Sequence, residues 1–376
     1  MTPTPRCIFS QEHEQFREQV VKFIARDVAP YHANWEKTGC VSREVWERAG
    51  EIGLLCPTVA ELDGGPGLDI LFSFVVIEEM ARAGANGPGF FVHSEMVAPY
   101  LSNFGSAEQR KRWLPGMVAG TCIGAVAMSE PSAGSDLRGM RTRARKDGDD
   151  WVLDGQKVFI SNGQLADLMV VAAKTEGDRI SLFLVDTSLS GFRRGRLLDK
   201  IGNKAQDTSE IFFDEMCLPS GALLGKQGEG FAMLMGGLVR ERVAIAVGAV
   251  AKAEYAYQVT VDYVKNRRVF GKLLLDYQNT RFQLASVYTE IAVARGYVDQ
   301  LIERLMRGDL TPEDSAVAKL WTTEMLGRTV DACLQLHGGW GYMNEYPIAR
   351  AYADARVERI VGGTSEVMRE IIGRSI

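Results

Sequence analysis

From Phe231 to Asn266 the chain runs without a proline and is rich in small residues. No other stretch limits the fold as strongly. Ala244, Ala246, Gly248, Ala249, Ala251 and Ala253 would let neighbouring helices approach closely, so the stretch reads as a long helix inside a bundle. Asp276–Arg307 supplies a second long helix, stopped near Gly308. Thr311-Pro312-Glu313-Asp314 opens a third, with Thr as N-cap, Pro at the first helical position and acids in the first turn. Leu336-His337-Gly338-Gly339-Trp340-Gly341 breaks it, and Thr364 and Ser365 can cap a short final helix.

The rest of the chain divides on the same criteria. In the first third, Phe16, Val20, Phe23, Ile24 and Val28 recur at helical spacing, and Pro30 is expected to end that run. Ile70–Ala83 and Ala107–Met117 read as further helices, with Asp63-Gly64-Gly65-Pro66-Gly67 as a loop. The middle third turns to β. Trp151-Val152-Leu153 and Lys157-Val158-Phe159-Ile160, separated by Asp154-Gly155, read as a hairpin with a type I′ turn. Leu168–Ala173, Ile180–Asp186 and Glu210–Asp214 are further β-rich runs, and short strands at this spacing suggest a small barrel or sandwich. The expected fold class is α+β multidomain. It comprises an N-terminal helical domain over 1–120, a central β-domain over 121–228 and a C-terminal helical bundle over 229–376.

Composition excludes several function classes. A net charge of −5 without a basic run argues against a nucleic-acid partner. The apolar run Val243–Ala251 is far short of the ~20 residues that cross a bilayer. Met1–Ser10 has no secretory pattern. The six cysteines are scattered without a C-x-x-C, which suits reduced thiols and a cytoplasmic location. The four histidines lack metal-site spacing, so no His/Cys metal centre is expected. No G-x-G-x-x-G follows a strand, and neither a P-loop nor a nucleophile elbow occurs.

Five ordered segments point further. They are Met128–Asp136, Lys157–Gly163, Arg267–Lys272 with Gln278, Gln335–Gly339, and Gly362–Glu366. Each alone reads as an ordinary turn, wet strand face or basic helix end. Together, over more than half of the chain, they resemble the signatures of the acyl-CoA dehydrogenase family. The closest look is to its long-chain and isovaleryl types.

That resemblance implies FAD as cofactor. It places Met128, Ser129, Ser135, Phe159, Ser161, Arg267, Phe270, Gln278, Gln335, Gly339, Thr364 and Glu366 at FAD. The residue chemistry agrees. Small and hydroxyl residues bring backbone N–H groups close to a ring or phosphate. Phe159 and Ser161 alternate with Val158 and Ile160 and so share a strand face. A guanidinium such as that of Arg267 suits pyrophosphate.

The resemblance also implies α,β-dehydrogenation of an acyl-CoA thioester. A base takes the α-proton while hydride leaves the β-carbon for the flavin, and electrons pass to an electron-transferring flavoprotein from a homotetramer. Many members carry the catalytic glutamate two residues before the Thr of the last signature, where this chain has Gly362. Long-chain and isovaleryl types carry it instead on the long helix, at the position of Glu241 in Arg240-Glu241-Arg242. Glu241 is therefore the expected base. The Gly362 N–H and a flavin hydroxyl would polarise the carbonyl, and Ser135, Arg242 and Val361 would touch substrate. Gly362, Gly363 and Val361 are expected to leave space near the thioester, favouring long or methyl-branched acyl chains. A catalytically silent scaffold and an acyl-CoA oxidase remain as alternatives.

Overall fold

The structure, a computed structural model, describes residues 6–376. The first half of the Met1–Ser10 stretch lies outside the described residues. The N-terminal region is helical: α1 (Gln11–Phe23), α2 (Ala29–Thr38), α3 (Arg43–Glu51), α4 (Ile70–Arg82), α5 (Ala98–Phe104) and α6 (Ala107–Val118). Pro30 does not end a helical run. A π-helical turn over Ile24–Val28 separates α1 from α2, and Pro30 lies in the first turn of α2. There its missing N–H costs nothing, because first-turn N–H groups have no intrahelical acceptor. A second π turn, Val92–Val97, leads into α5.

Eight strands follow: β1 (Gly124–Ala127), β2 (Arg143–Asp147), β3 (Asp150–Ser161), β4 (Leu168–Lys174), β5 (Ile180–Asp186), β6 (Phe192–Leu197), β7 (Thr208–Leu218) and β8 (Leu223–Leu224). They form one sheet in the order β6-β7-β3-β2-β4-β5-β8, with β1 paired to β4. The sheet folds over its own core. Along β4, Leu168, Val170 and Ala172 pack with the N-terminal helices, while Met169, Val171 and Ala173 pack with Trp151, Leu153 and Phe213. The period of two thus buries both faces of β4, as expected for a small barrel or sandwich.

The hairpin is displaced from its expected place. Asp154-Gly155 is not a turn, since β3 runs through it without a break. The reversal lies at Gly148-Asp149, where Asp147 pairs with Asp150 and Gly148 has φ +61°. Both dipeptides have turn chemistry. Partner register decides between them, because β3 pairs with β7 along its whole length.

The C-terminal region contains α7 (Gly230–Asn266), the short pair β9 (Arg268–Val269) and β10 (Lys272–Leu273), α8 (Gln278–Arg307), α9 (Pro312–His337), α10 (Pro347–Ala355) and α11 (Ser365–Gly373). The long helices stand where the sequence predicts. Gly308 closes α8 at φ +75°, and Thr311 and Asp314 form the reciprocal cap of α9. Ala244, Ala246, Gly248, Ala249, Ala251 and Ala253 of α7 are buried, and α7 packs against α9, α4 and α8. Among the described residues no helix is long and apolar enough to cross a membrane, no group of side chains could hold a metal ion, and the cysteines are free.

Candidate active site

Glu241 sits inside α7 and is 3% exposed. Burial pushes its carboxyl up to about 7, against the opposing effects of the Tyr100 hydroxyl and the neighbouring Arg242 and Arg240. Tyr100, on α5, donates from its hydroxyl to Glu241 Oε1 at 3.3 Å. That approach depends on Gly237, one turn earlier on α7. A Cβ there would lie 2.9 Å from the Tyr100 hydroxyl and 3.2 Å from Glu241 Oε1. A glycine inside a helix costs about 1 kcal/mol relative to alanine, and here the close contact accounts for it.

The turn before α11 lies one helical step along. Glu241 and Ile245 share a face of α7 at i, i+4 spacing. Gly362 has φ +66°, and a Cβ on it would meet Ile245 Cδ1 at 2.6 Å. The positions that side chains would take at Gly362 and Gly363 are occupied by neighbouring side-chain ends. Ile245 fills the place of one side chain, and Met368 Cε, 2.7 Å from a Cβ on Gly363, fills the other. A carboxylate at 362 would require both a rare backbone conformation and a shift of the Ile245 side-chain end. The Gly362 N–H has no acceptor among the described residues. Its carbonyl accepts from Arg242 Nε at 3.2 Å, so buried Arg242 is engaged with the turn. Val361 is half-exposed beside it.

A second set of predicted residues gathers on the β-domain. Ser129 follows β1, and its carbonyl accepts from Val158 N at 3.0 Å, which joins the Met128–Asp136 loop to β3. Lys157, fully buried, reaches the Met128 carbonyl at 3.0 Å and Glu130 at 2.8 Å. The regular alternation expected of Phe159 and Ser161 is interrupted. β3 carries one extra residue between Lys157 and Ile160, and Phe159 takes φ +61°. A bulge re-aims side chains. Here it leaves the Phe159 ring 67% exposed while Val158 and Ile160 stay buried. A bulky residue in left-handed backbone, holding an apolar ring in solvent, is a strained arrangement typical of ligand sites.

The third set lies at the far end of the bundle, except for Thr364 and Glu366, which follow the Gly362–Gly363 turn directly. Arg267, Gln335 and Gly339 line one cavity of about 560 Å³ with His337, Gly338 and Trp340. Phe270 stands 97% exposed on the β9–β10 turn, and Gln278 opens α8. Thr364 caps α11 by accepting from Val367 N at 3.3 Å. Glu366 is exposed, and its own backbone N–H and the Thr364 hydroxyl hold its carboxyl below the usual range.

These residues fit a flavin dinucleotide. The hydroxyls of Ser129, Ser135 and Ser161, the Gln335 amide and the Arg267 guanidinium have no side-chain hydrogen bond among the described residues. Ring, hydroxyl and cation chemistry of the kind a flavin dinucleotide needs is thus left unengaged on this chain. Tyr100, Gly237 and Lys319 had no sequence signal, since their roles appear only when separate elements pack; Lys157 lies in a signature segment, but its contacts to Met128 and Glu130 appear only in the fold.

Known proteins agree with this arrangement. The acyl-CoA dehydrogenase N-terminal, middle and C-terminal domain families match residues 10–121, 125–216 and 228–376. The long-chain specific acyl-CoA dehydrogenase, mitochondrial, of Sus scrofa is 50% identical over 99% of this chain and 88% of its own length. The crystal structure of acyl-CoA dehydrogenase from Geobacillus kaustophilus superposes with a TM-score of 0.96 at 43% identity, covering 99% of both chains. A glutaryl-CoA dehydrogenase from Mycobacterium smegmatis, solved in complex with FADH2, gives a TM-score of 0.92 at 30% identity over 98% of this chain and 95% of its own. With three matched domains in order, the signatures in place and these relatives spanning its length, the chain belongs to the acyl-CoA dehydrogenase family of FAD-dependent oxidoreductases.

Proposed function

We propose that this chain dehydrogenates long-chain acyl-CoA thioesters to trans-2-enoyl-CoA with Glu241 as the base. The observation that carries this reading is a buried carboxylate, pushed up to about 7, on the same helical face as the Gly362 turn. Bound FAD supplies the two-electron acceptor for the hydride from the β-carbon. The chain's own residues do the rest. Glu241 removes the α-proton, and its desolvated carboxylate is a stronger base than one in water. Gly362 offers its free N–H to the thioester oxygen, where negative charge develops. Ser129, Ser161 and Phe159 hold the flavin ring, Ser135 lies near pyrophosphate and thioester, and Thr364 and Glu366 sit toward the pyrophosphate end. Arg242 and Val361 border the substrate.

Arg267, Phe270, Gln278, Gln335 and Gly339 complete the FAD site of a neighbouring subunit in a homotetramer. The exposed Phe270 ring and the unpaired Arg267 support this. The division at 120/121 and 228/229 belongs to the same reading, with β1 beginning at Gly124 and α7 at Gly230. So does electron-transferring flavoprotein as acceptor. Free cysteines fit any reducing compartment, the cytoplasm included, while the Sus scrofa relative is named as mitochondrial. A preference for long chains rests on that relative, because the space expected at Gly362 and Gly363 is filled. The test compares kcat/KM for short, long and methyl-branched acyl-CoAs, with electron-transferring flavoprotein and with O₂ as acceptors. Highest values for long chains with the flavoprotein are expected. Preference for a short or branched chain would overturn the substrate assignment, and faster turnover with O₂ would favour an oxidase.

The rate should also follow pH in a defined direction. The base works deprotonated, so kcat/KM rises as pH rises through about 7. The Tyr100 hydroxyl stabilises the charged carboxylate. Tyr100→Phe is therefore expected to move the rising limb to higher pH, and an unmoved or lowered limb would contradict the contact.

A further inference from the structure

The Gly362–Gly363 turn is held from two sides. Arg242, from α7, takes the Gly362 carbonyl at 3.2 Å. Lys319, from α9, takes the next carbonyl: its Nζ donates to Gly363 O at 2.6 Å. Lys319 is 0% exposed and has no carboxylate within ion-pair distance among the described residues. A lysine buried in this way is costly, and its one direct hydrogen bond goes to the backbone of the proposed oxyanion turn. We propose that Lys319 is a positioning residue for the acyl-CoA reaction, its ammonium fixing the Gly362–Gly363 turn so that the Gly362 N–H meets the thioester oxygen. This rests on the reading given under Proposed function.

The physical argument starts from the turn itself. Gly362 and Gly363 both have positive φ, at +66° and +99°. Two consecutive glycines have many accessible conformations. The turn therefore needs outside contacts to hold one of them. Ile245 and Met368 limit it sterically, and Arg242 and Lys319 fix its carbonyls. The same helix α9 also holds Ser365, two residues past the turn, since Ser365 Oγ donates to Glu324 Oε1 at 2.6 Å. An oxyanion donor misplaced by a fraction of an ångström loses much of its effect, because such donors act by being fixed beforehand.

An ammonium donates a stronger hydrogen bond than a neutral amine. Lys319 therefore links the turn to pH. Burial lowers its pKa to about 8. The charged groups facing it are Glu358 from the 3₁₀ turn Arg356–Arg359, Arg242 from α7, Glu324 from α9 itself and Glu366 from α11. The carboxylates favour its charge and Arg242 opposes it, while Glu358 is also paired with Lys252. The charged, clamping form is present below about pH 8 and is lost as pH rises through that value. Glu241 sets the rising limb near 7, so the activity profile should be a narrow bell.

The experiment compares wild-type, Lys319→Met and Lys319→Arg proteins, FAD-loaded, over about pH 6 to 10. It measures kcat and KM with a long-chain acyl-CoA, and hydrogen–deuterium exchange of the Val361, Val367 and Met368 amides, whose hydrogen bonds flank the Gly362–Gly363 turn, corrected for intrinsic amide chemistry. Wild type should lose kcat/KM above about pH 8 and lose protection of the turn over the same range. Lys319→Met should lower kcat by about tenfold at neutral pH, leave KM nearly unchanged and lack the alkaline limb. Lys319→Arg, always charged, should recover turn protection and carry no limb near 8. A wild-type alkaline limb in either variant would overturn the proposal. So would wild-type turn protection that stays constant through pH 8, which decides the matter if the variants fail to fold. If wild type turns over no acyl-CoA at any pH, the reaction assignment fails, while the exchange measurement still reports on the clamp.

Discussion

Replacing Glu241 by glutamine is expected to lower kcat by about 10³-fold, within the range a positioned general base supplies, with FAD binding intact. Glutamine keeps the shape of the side chain and its contact with Tyr100, so the packing around Gly237 is preserved. Stability should not suffer. Burial raises the folded-state pKa of Glu241 from 4.5 to about 7. The native state therefore binds more protons than the unfolded one across that window, and the carboxylate costs stability as pH rises through it. Glu241→Gln removes that cost, so its Tm above pH 7 should equal or exceed that of wild type. Glu366 is the rival carboxylate. It is exposed, its pKa is lowered, and it follows the N-cap of α11, all poor qualities in a base. Glu366→Gln should retain turnover. The reverse outcome, with Glu241→Gln active and Glu366→Gln silent, would exchange their roles.

The largest effect on stability is expected at Glu78. This carboxylate on α4 is 0% exposed and pairs with four arginines: Arg6, Arg17 at 3.0 Å, Arg82 at 3.4 Å and Arg295 at 2.8 Å. Arg82 and Arg295 also bind Glu254 on α7, at 2.9 and 2.7 Å. The cluster joins the N-terminal helices to the C-terminal bundle. Burial alone would raise the Glu78 pKa, and Arg295, Arg6, Arg82 and Arg17 more than reverse that, bringing it to about 2. Its contribution is thus present above about pH 4.5 and lost as pH falls toward 2. Glu78→Gln leaves the guanidinium groups without their shared anion. Breaking a buried ion pair from one side costs about 3–5 kcal/mol, and Tm should fall by roughly 5–10 °C. The exposed pair Arg374–Glu370 is the internal control, since such pairs contribute at most about 1 kcal/mol. Scanning calorimetry checks both. A Glu78→Gln shift no larger than that of the control would show that the cluster does not couple the two regions.

The long helices were legible because their signals are local. Caps, a terminal glycine and the absence of proline set α7, α8 and α9 without reference to the rest of the chain. The hairpin was not, because Asp154-Gly155 and Gly148-Asp149 have similar turn chemistry and only the pairing of β3 with β7 distinguishes them. Pro30 was misread for a related reason: proline stops one helix or starts the next, and the π turn before it has no clear sequence mark. Motif likeness picked out Glu241 and the Gly362 turn. It could not show that Ile245 and Met368 occupy the space beside the glycines, which is a tertiary fact. Tyr100 and Lys319 were invisible for the same reason. Each becomes relevant through one contact between residues more than 40 positions apart.

The most direct test is an anaerobic titration of FAD-loaded wild type and Glu241→Gln with a long-chain acyl-CoA, following the flavin absorbance. Bleaching of wild type together with a Glu241→Gln flavin that stays oxidised is the predicted result. Equal bleaching of both proteins, or none in wild type with FAD bound, would contradict the assignment of Glu241 as the base of an acyl-CoA dehydrogenation.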